Sequence, residues 1–317
     1  MRVLILGVNG FIGRSIAHQL RATGITTFGL GRSKFQDSDE FYVQGDRSNL
    51  KQIRQVVQER KTNVIVDVIP MVAANTLPLL DCLQGEIDRY VMISSSDVYA
   101  NYELLHRRSI GQAKQNAANE NSPLRSTRYP YRQTKLRADE APDKHLDDYD
   151  KIPIENAVQR LSSPWTILRL PMVYGPGDRQ RRFSWAIKPM LDNEDKLVIP
   201  RAWANWQSTY GYIENVGAAI AASIESNRAC NEIFNVAESS PVSHLEWAKR
   251  FAEVINWQGE IEISDDPNNP FHRRLSGLDL GVPFLIDGSK LRKKLGFADI
   301  IDSTTALERT VVSEQAG

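Results

Sequence analysis

The sequence predicts a doubly wound α/β fold: a parallel sheet covered by helices on both faces, with a small C-terminal lobe. Three observations carry this expectation. Short β-branched runs alternate with amphipathic stretches of helical length, the pattern of a parallel sheet with helical crossovers. The first run, Val3 to Leu6, ends on Gly7-x-x-Gly10-x-x-Gly13, and a helical pattern through Ile16, Ala17 and Leu20 follows at once. The run Val64-Ile-Val-Asp-Val-Ile69 is apolar almost throughout, as a strand buried on both faces must be.

In chain order, the opening reads as strand, tight glycine turn and helix. Gly7 allows the turn, Gly10 lets backbone approach a pyrophosphate, and Gly13 lets the helix pack close on the strand. The helix N-terminus then offers unpaired N–H groups to an anion. Thr26 to Leu30 reads as the second strand and leads into Gly31-Arg32-Ser33. An acidic residue there would suit a ribose 2′-hydroxyl; Arg32 suits a 2′-phosphate and points to NADP(H) over NAD(H). Strand-like Phe41 to Val43 precedes Gly45-Asp46-Arg47, where Asp46 is placed to hold the adenine or the loop beside it. Helix is expected over Leu50 to Arg60 and over Ala73 to Leu83, the latter kinked at Pro78. Tyr90 to Ile93 is the next strand and runs into Ser94-Ser-Ser-Asp-Val-Tyr99.

Asn101 to Asp150 breaks the alternation. It is polar and rich in charge, contains Pro123, Pro130 and Pro142, and reads as a long excursion across the mouth of the site, ordered by Leu104, Tyr129 and Tyr131. Lys151 to Leu161 resumes helix with Pro153 in its first turn, and Trp165 to Leu170 is a strand broken by Pro171-Met-Val-Tyr-Gly-Pro-Gly-Asp178. Beyond it come helices at 183–191, 213–226 and 245–255, strands at 196–199 and 232–236, and a helix stopped by Gly296. A dinucleotide-binding domain is expected mainly over 1–178 and a substrate lobe mainly over 179–317, with some segments returning to the sheet.

Composition narrows the function. Across 317 residues, Lys+Arg and Asp+Glu balance at 39 each, so no global charge favours nucleic acid or an anionic membrane. Two cysteines, Cys82 and Cys230, give neither a disulfide framework nor a metal cluster and fit a reducing compartment. The apolar N-terminus is too short to span a membrane and lacks a cleavage pattern. A cytoplasmic protein with a small-molecule ligand is expected, without metal, nucleic acid or membrane partner.

Taken together, Gly7-x-x-Gly10-x-x-Gly13, Ser94-Ser95-Ser96-Asp97-Val98-Tyr99 and Leu168-Arg169-Leu-Pro-Met-Val173-Tyr174-Gly175-Pro176-Gly177 resemble the extended short-chain dehydrogenase/reductase family of nucleotide-sugar epimerases and dehydratases. Glu232-Ile-Phe-Asn-Val236 and Ser289–Phe297 continue the likeness over nearly the whole chain. The resemblance implies a Rossmann domain and a homodimeric habit. It also implies a cofactor held against Gly7, Asn9, Gly10, Phe11, Ile12, Gly13, Arg32, Asp46, Arg47, Lys151, Pro171 and Val173. Family chemistry uses a Tyr-x-x-x-Lys pair and a strand-end hydroxyl that polarises the substrate oxygen. Counting back from Val98 makes Ser95 that hydroxyl.

The tyrosine departs from the pattern. Tyr131-Arg-Gln-Thr-Lys135 is a literal match, but it lies too far ahead of the Leu-Arg strand. Lys151 has the family spacing and carries Glu155 four residues on, yet Asp147 stands where the tyrosine belongs. Tyr149 as a displaced acid/base, Tyr131 delivered from the excursion, and no such base at all remain three readings. The substrate side departs too: the position of the family's diphosphate-gripping arginine, set by Asn215-Val216, is Ser208. Trp203, Trp206, Tyr210 and Tyr212 could stack on a sugar, and Arg179, Arg181 and Arg182 could meet an anion. The resemblance therefore implies an NADP(H)-dependent oxidoreductase or epimerase/dehydratase acting at a carbonyl/alcohol carbon of a small, sugar-like molecule. The alternative is a non-catalytic NAD(P)-binding sensor or scaffold.

Overall fold

The computed structural model describes residues 1–33, 41–111, 116–266, 269, 271, 275 and 277–315. Its strands in chain order are β1 (Arg2–Leu6), β2 (Thr26–Gly31), β3 (Tyr42–Gln44), β4 (Val64–Asp67), β5 (Arg89–Ser95) and β6 (Trp165–Leu170). They continue with β7 (Met172–Tyr174), β8 (Lys196–Pro200), β9 (Tyr210–Tyr212), β10 (Glu232–Asn235) and β11 (Glu260–Ser264). Seven of these form one sheet in the order β10-β6-β5-β4-β1-β2-β3, every pair parallel. The chain runs outward from β1 to β3, then returns to lay β4 on the other side of β1. That reversal opens a crevice at the carboxyl ends of β1 and β4, where Leu6 is level with Asp67.

Each central strand buries both faces. Val3 and Ile5 of β1 face one apolar cluster with Ile16 and Leu20, while Leu4 and Leu6 face a second with Phe28, Ile53 and Leu79. The first cluster lies under α1 (Phe11–Ala22) and α8 (Ile213–Glu225); the second lies under α2 (Leu50–Glu59), α3 (Ala73–Leu83) and α5 (Lys151–Val158). The helical pattern of α3 carries through Pro78. Two short parallel pairs, β7 with β9 and β8 with β11, stand apart from the sheet. The β8–β11 pair packs on α6 (Ser184–Leu191) and α7 (Arg201–Asn205), which pack in turn on α9 (His244–Ile255), while the β7–β9 pair packs on α8.

Several boundaries differ from expectation for local reasons. β4 stops at Asp67 rather than Ile69, because the Asp67 carboxylate turns back to accept from the Ile69 N–H. β3 starts at Tyr42, whose hydroxyl donates to Gly31 O at 2.7 Å and ties the strand to β2. The excursion is not irregular from its start: Ala100–Leu105 forms α4, burying Tyr102 and Leu105. The short α7 and the C-terminal helix Ser303–Gln315 were also not expected.

The glycine turn is sterically exacting. Gly7 sits at φ +91°, and a Cβ on Gly13 would lie 2.3 Å from Gly7 O and 2.8 Å from Val8 Cα. Both obstacles are backbone, so neither can rotate away. Gly13→Ala is therefore expected to destabilise the fold by about 1–3 kcal/mol, the usual cost of overpacking. A urea unfolding midpoint unchanged from wild type would show that α1 is not held against the turn.

Candidate functional site

Beside the glycine turn lies an open cleft of about 1210 Å³. Gly7, Asn9, Gly10 and Phe11 form one wall, and Gly31, Arg32, Ser33, Asp46 and Arg47 another. Ile69, Met71, Val72 and Asn75 follow from beyond β4, and Pro176 to Gln180 from beyond β7. Gly10 occupies the N-cap of α1 and supplies no side-chain cap, so the first turn presents backbone N–H groups toward the cleft. Asn9 Nδ2 donates to Ser33 O and Ser33 Oγ, both at 2.9 Å, and this ties the turn to the end of β2. Asn9 Oδ1 is buried without a partner among the described residues. A glycine cradle, an uncapped helix start and an arginine at the far edge fit the pyrophosphate and adenosine half of a dinucleotide.

The expected cofactor residues divide on this wall. Arg32 is exposed, and no ion pair involves it among the described residues. Asp46 is turned inward to its own loop, accepting from Ser48 N at 2.8 Å and Ser48 Oγ at 2.7 Å. Arg47 reaches the wall with its guanidinium already committed to Asp67 and Thr76. It braces the cleft rather than offering a free cation. Gly13 is packed beneath the turn, and the side chains of Ile12 and Val173 face the core. Pro171 packs close to Gly211.

The second part of the site lies behind the cleft, at the end of β5. Ser95 Oγ accepts from the Asp97 N–H at 3.2 Å and so caps the turn that follows the strand. Asp97 is buried, and its Oδ2 accepts from the Tyr149 hydroxyl at 2.8 Å and the Tyr131 hydroxyl at 2.9 Å. The two rings meet edge to face with centroids 4.9 Å apart. Lys151 is buried at the head of α5, its Nζ donating to Ile93 O at 3.0 Å and lying 5.6 Å from the centre of the Tyr149 ring. Sequence spacing therefore brings together Ser95, Tyr131, Tyr149 and Lys151, although the literal partner Lys135 is exposed in a loop. Asp97 was missed as a site residue; its only signal was its place inside the Ser94–Tyr99 motif.

Burial sets the electrostatics here. It pushes the Lys151 ammonium down to about 8, against the charges of Asp97 and Asp67. Burial, and then the Asp97 charge, push Tyr149 and Tyr131 well above the ordinary phenol range. Asp97 itself is raised by burial, which outweighs the tyrosine hydrogen bonds and the Arg125 charge.

The excursion explains how Tyr149 reaches Asp97. Arg125 is buried; its Nε donates to Asp97 O at 3.0 Å and its Nη2 to Asp150 Oδ1 at 2.6 Å. Asp150 also caps α5, accepting from the Ile152 N–H. Glu103 of α4 gathers the N–H and hydroxyl groups of Ser126 and Thr127. Asp147, where a family tyrosine would stand, is used instead to hold Arg137. Leu104 and Tyr131 both pack against the cluster of Tyr102, Leu105, Trp206, Val282 and Phe284, whereas Tyr129 lies under the guanidinium groups of Arg128 and Arg132. Tyr149 bridges to Val72, and Asp150 N–H donates to Met71 O at 3.1 Å. This seam separates the tyrosine cluster from the cleft: none of Ser95, Tyr131, Tyr149 and Lys151 lines the cleft.

On the lobe side, the aromatics mostly pack one another. Trp206 stacks on His244 and donates Nε1–H to Val282 O, Tyr210 and Tyr212 are buried, and Trp203 stacks on Trp206. Ser208 is fully buried, so no phosphate grip exists at that position. Arg181 pairs with Glu314 and Arg182 with Asp178, which leaves Arg179 exposed on the cleft. Among the described residues, no group of three or more His, Cys, Asp or Glu converges as a metal site, and no helix is long and apolar enough to cross a membrane.

Comparison with known proteins agrees with this geometry. No curated protein matches the chain. Among solved structures, UDP-glucose 4-epimerase of Thermotoga maritima, with UDP-glucose, aligns at 15% identity and TM-score 0.69 over 100% of this chain and 99% of that one. UDP-glucuronic acid 4-epimerase of Bacillus cereus, with NAD, aligns at 19% and 0.69 over 100% and 99%. dTDP-glucose 4,6-dehydratase of Bacillus anthracis, with NAD, aligns at 16% and 0.67 over 100% and 97%. At these identities the likeness is one of fold. The model of the NAD dependent epimerase/dehydratase family matches residues 3–237. The chain belongs to the NAD-dependent epimerase/dehydratase family, with a Rossmann-type fold.

Proposed function

We propose that the protein binds NADP(H) in preference to NAD(H) and exchanges hydride with a carbonyl/alcohol carbon of a small, sugar-like substrate. The observation that carries this reading is the convergence of Tyr149, Tyr131, Ser95 and Lys151 at the end of β5 despite their irregular spacing. The nicotinamide supplies the hydride chemistry when bound. In this reading, once the seam of Met71 and Val72 opens, Ser95 donates to the substrate oxygen, Tyr149 relays its proton, and Lys151 turns from Ile93 O to hold the ribose. Gly7, Asn9, Gly10 and Phe11 cradle the pyrophosphate, and Arg32 faces the 2′-phosphate.

A second reading, a dinucleotide sensor without turnover, is favoured by one feature: the seam of Met71 and Val72 with Tyr149 and Asp150. For catalysis this seam must open when substrate binds. The two readings separate when the protein, loaded with NADP⁺ or NAD⁺, is offered nucleotide-activated hexoses, starting with UDP-glucose and UDP-glucuronic acid, and simple hydroxy and keto sugars. Oxidised, epimerised or dehydrated products by mass spectrometry support the enzyme. Tight dinucleotide binding with no product across the panel supports the sensor. In an enzyme, Tyr149→Phe lowers turnover about 10²-fold or more, the ordinary worth of a positioned proton relay; full turnover in that variant would remove Tyr149 from the mechanism.

Two further outcomes are expected. Arg32→Ala weakens NADP(H) binding about tenfold, or ~1.4 kcal/mol, while NAD(H) affinity holds. Titration by intrinsic tryptophan fluorescence reads both, and tighter NAD(H) than NADP(H) binding in the wild type refutes the assignment. The Lys151 ammonium, lowered from 10.5 to about 8, binds its proton less well folded than unfolded. Stability should therefore rise with pH from about 8 toward 10, where tyrosine ionisation begins to oppose it. Lys151→Met should abolish that slope in urea unfolding; an identical slope in both proteins would place the proton elsewhere.

A further inference from the structure

We infer that Asp97 is the proton acceptor behind Tyr149, so that the substrate's proton passes through a neutral tyrosine to a carboxylate and no tyrosinate forms. The inference rests on the hydride-transfer reading above and assigns its proton a destination. Asp97 is 2% exposed, and both tyrosine hydroxyls converge on its Oδ2. Its Oδ1 is buried with no partner among the described residues. Among those residues no ion pair involves it. Arg125 bonds the Asp97 backbone carbonyl and spends its other N–H groups on Thr127 and Asp150. Lys151 points its ammonium at Ile93 O. A carboxylate sealed from water, with no cation in contact with its side chain and Arg125 and Lys151 acting on it only from a distance, accepts a proton more readily than an exposed one.

The usual activation of a tyrosine, by a nearby lysine, is opposed by this geometry. A phenolate on Tyr149 would sit at hydrogen-bonding distance from a second anion, with the lysine directed elsewhere. Two like charges at such a distance cannot both ionise. A relay avoids the conflict. In the oxidative direction the substrate's C–H bond breaks and its electron pair leaves as hydride for the oxidised nicotinamide. The substrate O–H gives its proton to the Tyr149 oxygen, and the Tyr149 O–H proton moves to Asp97 Oδ2. The products are a carbonyl, a reduced nicotinamide, an unchanged tyrosine and a neutral Asp97; reduction reverses each step. Tyr131 remains the second donor that fixes the carboxylate in place. Asp97 acts through Tyr149 and is therefore a positioning residue.

The groups facing Asp97 are Ser95 on its own turn, Tyr102 of α4, Arg125 and Tyr131 of the excursion, Tyr149, and Lys151 at the head of α5. The test follows tyrosine ionisation by NMR on the full chain, labelled with ¹³C at the phenolic carbon, with and without NADP⁺. Tyr131→Phe and Tyr149→Phe assign the two signals. In the wild type neither tyrosine should ionise below pH 10, the ordinary phenol value. Asp97→Asn should bring the Tyr149 titration down by about one unit or more, a tenfold change in proton affinity, and Asp97→Glu should restore it. A Tyr149 that ionises below about pH 8 in the wild type, as a base poised for neutral pH would, or one that Asp97→Asn leaves unmoved, overturns the assignment. Should Asp97→Asn fail to fold, Tyr149→Phe carries the test. Removing that donor must raise the pH at which the ¹³C-labelled Asp97 carboxyl titrates, and an unmoved carboxyl is equally fatal. The apo-chain titration stands apart from the cofactor: failure to bind NADP(H) or NAD(H) would sink the hydride reading and leave this measurement intact.

Discussion

The end of β5 depends on one buried ion pair, Glu155 with Arg169. Arg169 Nη2 lies 2.7 Å from Glu155 Oε2 and Nε 3.1 Å from Oε1, with both side chains almost fully enclosed. Burying two charges is favourable only when their remaining hydrogen-bonding capacity is also met. Here it is: Ser94 Oγ donates to Glu155 Oε1, and Arg169 Nη1 reaches Tyr99 Oη and Glu120 O. Tyr99 in turn donates to Asn235 Oδ1, whose Nδ2 reaches Ala118 O and Asp287 O. One polar network thus joins α5, β5, β6, β10 and the excursion. It fixes the helix that carries Lys151 against the strand that ends in Ser95. Removing either ion would leave the other charged and buried, which is why the pair acts as a register lock for the whole corner.

A second constraint, the Arg125–Asp150 clamp, decides which tyrosine can reach that corner. Asp150 must cap α5 and receive Arg125 at once, which fixes the backbone immediately before Lys151. The residue before it, Tyr149, is drawn into an antiparallel bridge with Val72, and its ring is delivered onto Asp97 from the excursion side. A tyrosine one helical turn before the lysine would have to occupy the place of Asp147, which is held by Arg137 and Lys144. The excursion is stitched by ion pairs through Asp147, and the aromatic rings that meet Asp97 come from Tyr149 and Tyr131.

This division also explains what could be read from residues alone. Local patterns with a period or a fixed spacing were legible. The glycine turn, the β-branched strands and the helices packed on them follow from separations of a few residues, whereas Ser95 and Lys151 were singled out by family spacing, Lys151 by lying 18 residues before Arg169. Contacts closed across long loops were not. Nothing in the run 101–150 announces that Arg125 will meet Asp150, or that Tyr131 and Tyr149 will share one oxygen, because those pairings are set by tertiary closure rather than periodicity. The three-residue strand β9 was illegible for the same reason: its residues are strand only because β7 lies beside them. The C-terminal helix is different. Ala306, Leu307, Thr310 and Val311 carry a helical spacing and are buried, so its signal was present and short.

At the ends of the neighbouring strands β4 and β5, two aspartates provide the comparison that gives Asp97 its meaning. Asp67 ends β4 and accepts a tyrosine hydroxyl, Tyr90 at 2.6 Å, much as Asp97 accepts Tyr149. Asp67 also holds the Arg47 guanidinium through both carboxylate oxygens, so its charge is met and its lone pairs are occupied. Asp97 is as deeply enclosed, has a second tyrosine instead of an arginine, and leaves one oxygen without a partner among the described residues. The low dielectric that strengthens the first arrangement makes the second a store of proton affinity. With the arginines of this corner paired to Glu155 and Asp150 and the Lys151 ammonium on a backbone carbonyl, no cation contacts the Asp97 carboxylate among the described residues, which is the arrangement the inferred relay needs.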